Sequence, residues 1–264
     1  MKIFPLLKVN YKIDVQFAKT FFPQVKPSNL EIFFKENSER ELVKYLSTQK
    51  PFKLLNDEKF PKFHLNNEHK EFARTVQKSL NKKEFISIND DLVFNKVQDL
   101  SKNLDIQIDE KTKHMLKRYI STVRGKLNER SIMSLVNVNT NRNFKKVHKI
   151  KTVEFNLFKL TGIADALDIK AKQVLEIKTK QQFNDETTNI DRKDFAQVLA
   201  YMNMYKCTSC LYVQCGPDGQ LKETYLPFDK PAFDYIIDRI NDFCSFARQL
   251  TENDYQELLN HYNL

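Results

Sequence analysis

The chain has 264 residues, with 43 Lys and Arg against 34 Asp and Glu, a net charge of +9. That length suits one large domain or two small ones and buries about 70% of the unfolded surface, so folding needs neither disulfides nor a structural metal. At 41% apolar and 29% charged residues, disordered, collagen-like and fibrous classes are excluded. The positive balance suits a polyanionic partner, although a Lys-, Asn- and Phe-rich composition also follows from AT-rich coding.

No run of about 18 apolar residues occurs, so no membrane partner is expected. The opening segment, MKIFPLLKVNYKIDVQF, lacks a long apolar stretch and a small-residue cleavage site, and carries Asp14 and no Arg. This reads against secretory and mitochondrial leaders and leads us to expect an intracellular protein, in the cytoplasm or, in a eukaryote, the nucleus or an organelle.

Residues 1–105 read as a mainly helical N-terminal region of unknown role. Its helix candidates are 29–47, with Ser28 or Asn29 as cap, 68–80, where Phe72, Val76 and Leu80 are spaced four apart, and 90–104. Residues 106–264 form the second unit. Asp109 caps a helix whose apolar positions, Met115, Leu116, Tyr119, Ile120, Val123 and Leu127, run at spacings of three and four towards Leu135. Gly125 interrupts it, at about 1 kcal/mol relative to Ala, and leaves room for close packing or a phosphate. Strands follow over 153–160, 163–169 and 173–178, with turns at Thr161-Gly162 and at Lys170–Lys172. A polar loop, 179–191, leads to a helix that Asp191 or Asp194 opens and that reaches Tyr205. Strand 210–215, a Gly216–Gly219 turn and strand 221–227 come next. Pro231 starts a last helix with Phe233, Ile236, Ile237, Ile240, Phe243 and Phe246 on its apolar face.

Cys207 and Cys210 form a CxxC, with Cys215 and Cys244 beyond it. A zinc or iron–sulfur site is one reading. The absence of a second CxxC or an adjacent His pair favours packing as small hydrophobes. His64, His69, His114, His148 and His261 lack ligand spacing; His69 is weighed only as an upstream site residue.

The chemistry concentrates in the strands. Residues two apart on a strand share a face, so Glu176 and Lys178 stand side by side with Ile177 turned into the core. If the Lys170–Lys172 turn pairs the flanking strands, Asp165 comes near Glu176. Asp168, three residues on, points to the opposite face. Glu129 on the preceding helix is placed to close a fourth corner. Buried carboxylates are costly unless paired or metal-bound. Clustered, they make a hard-oxygen site for Mg²⁺ or Mn²⁺, and a neighbouring ammonium orients water or offsets charge on a phosphate, as metal-assisted phosphodiester hydrolysis requires. The plainer alternative is a solvated edge hairpin carrying a Glu–Lys pair.

From Asp165 to Lys178 the sequence reads D-x₁₀-E-I-K. This resembles the PD-(D/E)XK nuclease pattern, with Ala164 in place of the usual Pro. RGKLNE (124–129) is similar to the R-G-K-x-x-E helix motif of the phage lambda exonuclease (YqaJ-type) recombination nucleases. DFAQVLAYMNMY (194–205) is similar to the Gln-bearing helix that follows their catalytic strand. The order of motifs also agrees over about 110–250. The resemblance implies an α/β fold: a restriction-endonuclease-like core with a central mixed sheet flanked by helices, preceded by the helical N-terminal extension.

It further implies that Asp165, Glu176 and the Ile177 backbone carbonyl ligate Mg²⁺ or Mn²⁺, two ions per site, with Glu129 completing the site directly or through water. Lys178 would position the attacking water or stabilise the phosphorane charge, and Gln197 would contact the scissile region or Lys178. Arg124 and Lys126 would face phosphates, Gly125 letting the backbone come close, or else form a solvated basic face. Tyr201 shares a helix face with Gln197 as a nucleic-acid contact or a half-buried helix tyrosine. Lys180, Arg192 and Lys193 supply positive surroundings for a polyanion. The implied activity is 5′–3′ exonucleolytic hydrolysis of linear double-stranded DNA in recombination, repair or genome processing, with a strand-annealing or recombination partner and a homo-oligomer. The alternatives are an RNA or DNA endonuclease of the same fold and a catalytically idle nucleic-acid-binding protein. The joint presence of Asp165, Glu176 and Lys178 speaks against the idle form.

Overall fold

The computed structural model describes residues 21–34, 38–49, 52, 67–79, 90–103, 109–179, 190–216 and 220–264. Its centre is a five-stranded mixed sheet in the order β2-β5-β6-β7-β8. The strands are β2 (Lys145–Lys146), β5 (Ala166–Asp168), β6 (Gln173–Thr179), β7 (Ser209–Cys215) and β8 (Leu221–Pro227). β5 and β6 pair antiparallel across the Lys170–Lys172 turn, with Ala166 opposite Leu175. β6 and β7 run parallel, with Glu176 opposite Tyr212 and Lys178 opposite Gln214. A parallel pair needs a crossover, which helix α6 (Arg192–Tyr205) provides.

Strand alternation gives this sheet two buried faces. On one, Ala166, Leu175, Ile177, Leu211 and Val213 pack with Phe144 and with Ile132 and Val136 of helix α5 (Glu110–Thr140). Asp109 caps α5 by accepting from the Thr112 N–H at 2.7 Å, as its position before the apolar repeat predicts. On the other face, Val174, Cys210 and Tyr212 join Ala196, Val198, Leu199, Ala200 and Met202 of α6. Behind α6 lie α7 (Lys230–Ala247) and α8 (Glu252–His261).

The N-terminal residues share this second core. β1 (Gln24–Val25), a 3₁₀ turn (Pro27–Asn29), α1 (Glu31–Phe34) and α2 (Glu39–Leu46) supply Val25, Leu30, Phe33, Leu42, Val43 and Leu46 to it. Phe243 of α7 meets the rings of Phe21, Phe33 and Tyr45 at centroid distances of 6.2, 5.4 and 6.1 Å. Arg248 Nε donates to the Phe21 carbonyl at 2.8 Å. Residues 21–52 thus share one buried core with residues 158–259. Helices α3 (Asn67–Ser79) and α4 (Asp90–Asn103) match the 68–80 and 90–104 expectations and pack on α5.

Local differences from the sequence reading have physical causes. The stretch 153–160 is not one strand. β3 (Lys151–Glu154) and β4 (Lys159–Gly162) form a hairpin, closed by stacked Phe155 and Phe158 rings 4.7 Å apart. Alternation cannot reveal a turn inside it. β4 also pairs parallel with β1, so Thr161-Gly162 is the end of a strand rather than a turn. The 29–47 helix is divided into α1 and α2, and Ser28 and Asn29 belong to the preceding 3₁₀ turn. Asp168 is structural, as its face suggests. It accepts from the Asn143 N–H at 3.1 Å and the Ala171 N–H at 3.0 Å, and the Ala171 bond foremost holds its pKa below the usual value.

All four cysteines are free and buried, and burial raises the pKa of each thiol. Cys207, Cys210 and Cys244 sit in the larger core and Cys215 in the smaller. His114, His148 and His261 are exposed; His64 and the His69 side chain lie outside the described residues. Among the described residues no helix is long and apolar enough to cross a membrane.

Gly162 is required for space. A Cβ there would lie 2.8 Å from Pro27 Cγ and Cδ and 3.1 Å from Tyr201 Cε1. Gly162→Ala should therefore destabilise by about 1–3 kcal/mol in equilibrium denaturation. Adding Pro27→Ala should recover part of that loss; full additivity of the two changes would refute the clash.

Candidate active site

Four neighbouring elements place the candidate residues. Glu176 and Lys178 project from β6 on the face that α6 covers, and Tyr212 projects from β7 beside Glu176. Asp191 caps α6, its Oδ1 accepting from the Asp194 N–H at 2.9 Å. This sets the helix phase, and the spacing of Asp194, Gln197 and Tyr201 then puts all three on the face towards the sheet. Asp165 sits just before β5. Its Oδ2 accepts from the Ile177 N–H at 2.8 Å, which continues the β5–β6 pairing with a side chain after the ladder ends.

Glu176 is 3% exposed. Its Oε1 accepts from Lys178 Nζ at 2.8 Å and from Gln197 Nε2 at 2.9 Å. Gln197 Oε1 accepts from Lys178 Nζ at 3.0 Å, closing a triangle. Glu176 Oε2 is buried without a hydrogen-bond partner. Lys178 Nζ also lies 3.6 Å from Asp194 Oδ1, and the Tyr212 hydroxyl donates to Asp194 Oδ2 at 2.5 Å.

The charges follow from this packing. Burial, then repulsion from Asp165, pushes the Glu176 pKa to about 8. Burial also raises Asp165, to about 6, with the Ile177 N–H opposing and Glu129 adding repulsion. For Lys178 burial alone would favour loss of the proton, but Glu176, Asp194 and Asp165 outweigh it and raise its pKa.

The structure thus brings Asp165, Glu176, Lys178 and Gln197 together. Glu129 is near enough to act on Asp165, but its Oε2 accepts from Lys146 Nζ at 3.1 Å. Tyr201 does not reach outward. It is 6% exposed, and its hydroxyl lies 3.3 Å from Gln197 Nε2, so it backs Gln197 instead of meeting a polymer. Arg192 and Lys193 are exposed on the first turn of α6. Lys180 and the side chains of Arg124 and Lys126 lie outside the described residues. Sequence reasoning missed Lys146, Tyr212 and the inward role of Asp194. Only for Asp194 was there a signal: an acid three residues before Gln197, on the same helix face.

A divalent cation suits part of this arrangement. Glu176 Oε2 is a buried acceptor without a partner, and Glu176 is near enough to a second carboxylate, Asp165, to be repelled by it. The N–H and C=O of a strand residue open on the same side, so the Ile177 carbonyl faces the side where its N–H meets Asp165. Mg²⁺ is commonly held by one or two carboxylates, with water and phosphate completing the shell. Among the described residues, no group of three or more His, Cys, Asp or Glu side chains is gathered closely enough to hold a metal ion by itself, consistent with Glu129 being engaged by Lys146.

The fold is found among solved structures. The chain aligns with an alkaline exonuclease from Laribacter hongkongensis at TM-score 0.50 and 13% identity, over 91% of this chain and 93% of that one. It aligns with a phage related exonuclease from Haemophilus somnus 129PT at TM-score 0.45 and 12% identity, over 90% and 96%. No protein-family model and no curated protein matches the sequence. The chain therefore shares its mixed α/β fold with the Laribacter alkaline exonuclease.

The raised carboxylates fix the sign of a pH effect. Between the ordinary values of 3.8 and 4.5 and the folded values of about 6 and 8, the native state retains protons that the unfolded chain has lost. Stability in chelator should therefore fall as pH rises from 5 to 8. Thermal melts of Glu176→Gln should show a weaker fall; an identical slope would contradict the assignment.

Proposed function

We propose that the chain is a divalent-metal-dependent deoxyribonuclease that hydrolyses phosphodiester bonds, acting as a 5′–3′ exonuclease on linear double-stranded DNA. One observation carries the reading. A carboxylate, Glu176, is buried with one oxygen held by Lys178 and Gln197 and the other left without a partner, near enough to Asp165 for the two acids to repel. A purely structural acid would be expected to have both oxygens satisfied, because an unmet buried acceptor costs about 1–3 kcal/mol. The fold shared with the Laribacter alkaline exonuclease and the order of the motifs support exonucleolytic action. The DNA substrate, the end preference and the polarity rest on the motif resemblance.

Asp165, Glu176 and the Ile177 carbonyl would hold Mg²⁺ or Mn²⁺, with Glu129 acting from beside Lys146. Bound there, such a cation would supply activation of a water and neutralisation of charge on the phosphate. The chain does the rest. Lys178, kept charged by its acidic neighbours, presents its ammonium to the scissile phosphate or its water. Gln197 bonds both members of the Glu176–Lys178 ion pair and so fixes how the two side chains sit relative to each other. Asp165 is oriented through the Ile177 N–H, so its position is set by the backbone of the strand that carries Glu176. Arg192 and Lys193 lend positive potential at the site's edge.

The test is cleavage of end-labelled linear duplex, closed circular DNA and RNA in Mg²⁺ or Mn²⁺. Linear DNA should be degraded, chelator should abolish the activity, and Asp165→Ala or Lys178→Ala should lower it at least about 100-fold. Activity surviving in Asp165→Ala would remove the site assignment. Cleavage of circles or RNA with linear ends ignored would instead favour an endonuclease of the same fold, and no cleavage by the wild type would favour a binding protein.

A further inference from the structure

The Lys178 ammonium has two hydrogen-bond acceptors and one longer ionic neighbour, all of different kinds. Glu176 Oε1 at 2.8 Å is charged but belongs to a carboxylate assigned to the metal. Gln197 Oε1 at 3.0 Å is neutral. Asp194 Oδ1 at 3.6 Å is charged and belongs to neither metal carboxylate. A cation at Glu176 competes with Lys178 for that residue's charge. Asp194 then remains as a fixed counter-charge behind the ammonium.

Asp194 is built to stay in place. It is 5% exposed, and its other oxygen accepts from the Tyr212 hydroxyl at 2.5 Å. Tyr212 is itself 1% exposed and stands opposite Glu176 on the parallel neighbour strand. The Asp194 backbone is tied to the Asp191 cap, and a carboxylate in the first turn of a helix is favoured by the helix dipole. One oxygen is thus secured from the sheet and the main chain from the helix, leaving Oδ1 aimed at Lys178.

Resting on the nuclease reading above, we propose that Asp194, locked by Tyr212, is a positioning residue that holds the Lys178 ammonium at the scissile phosphate. Asp194→Asn isolates the charge, since the amide oxygen still accepts from Tyr212. It should lower kcat roughly 10- to 100-fold, the range for residues that hold a reactive group from behind, with KM and thermal midpoint near wild type. In a Lys178→Gln background the same change should cost little more, because the two act through one group. Tyr212→Phe, which keeps the ring and loses the donor, should shift kcat in the same direction by less and serves if Asp194→Asn fails to fold. Independently of catalysis, ¹⁵N-lysine-labelled protein without metal should show a slowly exchanging ammonium signal that Lys178→Gln removes and Asp194→Asn broadens. An unchanged signal in Asp194→Asn would overturn the anchoring, and a fully additive loss with Lys178→Gln would overturn action through Lys178. A wild type that cleaves nothing would instead remove the nuclease reading, and the catalytic part of this proposal with it.

Discussion

The burial of the Glu176 carboxylate is the constraint around which the rest of the site is arranged. A carboxylate enclosed between a sheet and a helix cannot keep its charge without compensation. Only one of its oxygens is compensated, by Lys178 and Gln197. Burial, and then repulsion from Asp165, raises the pKa of Glu176 towards 8, and the second oxygen is left without a hydrogen-bond partner. A site satisfied on both oxygens would be more stable. On the proposed function, that local loss of stability is what leaves an oxygen for a cation.

The scaffold makes this possible by supplying different residues from different kinds of element. Strand β6 delivers Glu176 and Lys178 to one face through its two-residue repeat, while Ile177 is buried against α5 on the other. The parallel pairing of β6 with β7 brings Tyr212 level with Glu176. The crossover helix between those strands brings Asp194, Gln197 and Tyr201 over the same face. The short β5 leaves Asp165 free to complete the ladder with its side chain. Each residue is therefore held by an element whose own core contacts keep it from moving.

The N-terminal segment supports this arrangement from outside. Pro27 lies against Gly162 and close to Tyr201, and Tyr201 in turn backs Gln197. A line of packing contacts thus runs from the 3₁₀ turn through the end of β4 to the side chain that bridges Glu176 and Lys178. Phe21, Phe33 and Tyr45 join Phe243 in the core beneath α6 and α7. Part of the region without visible motifs is thus structural support for the half that carries the candidate site.

Much of the site was legible in the sequence because it depends on short-range periodicity. The i, i+2 relation of Glu176 and Lys178, the turn that returns Asp165 to Glu176, the Asp109 cap and the apolar stripe of α7 are all set by backbone geometry over a few residues. The 153–160 stretch misled for the same reason: alternation looks alike on one strand and on the two arms of a hairpin. What only the tertiary structure decided lies between distant segments. Tyr212 and Asp194 are 18 residues apart, Lys178 and Gln197 are 19, and Pro27 meets Gly162 from the other end of the chain. Such meetings depend on how a crossover helix settles on a sheet and how side chains share the enclosed volume. The sequence by itself determined which acids and bases the molecule carries, in what order and on which local faces. Packing decided which of their oxygens are satisfied and which one is not.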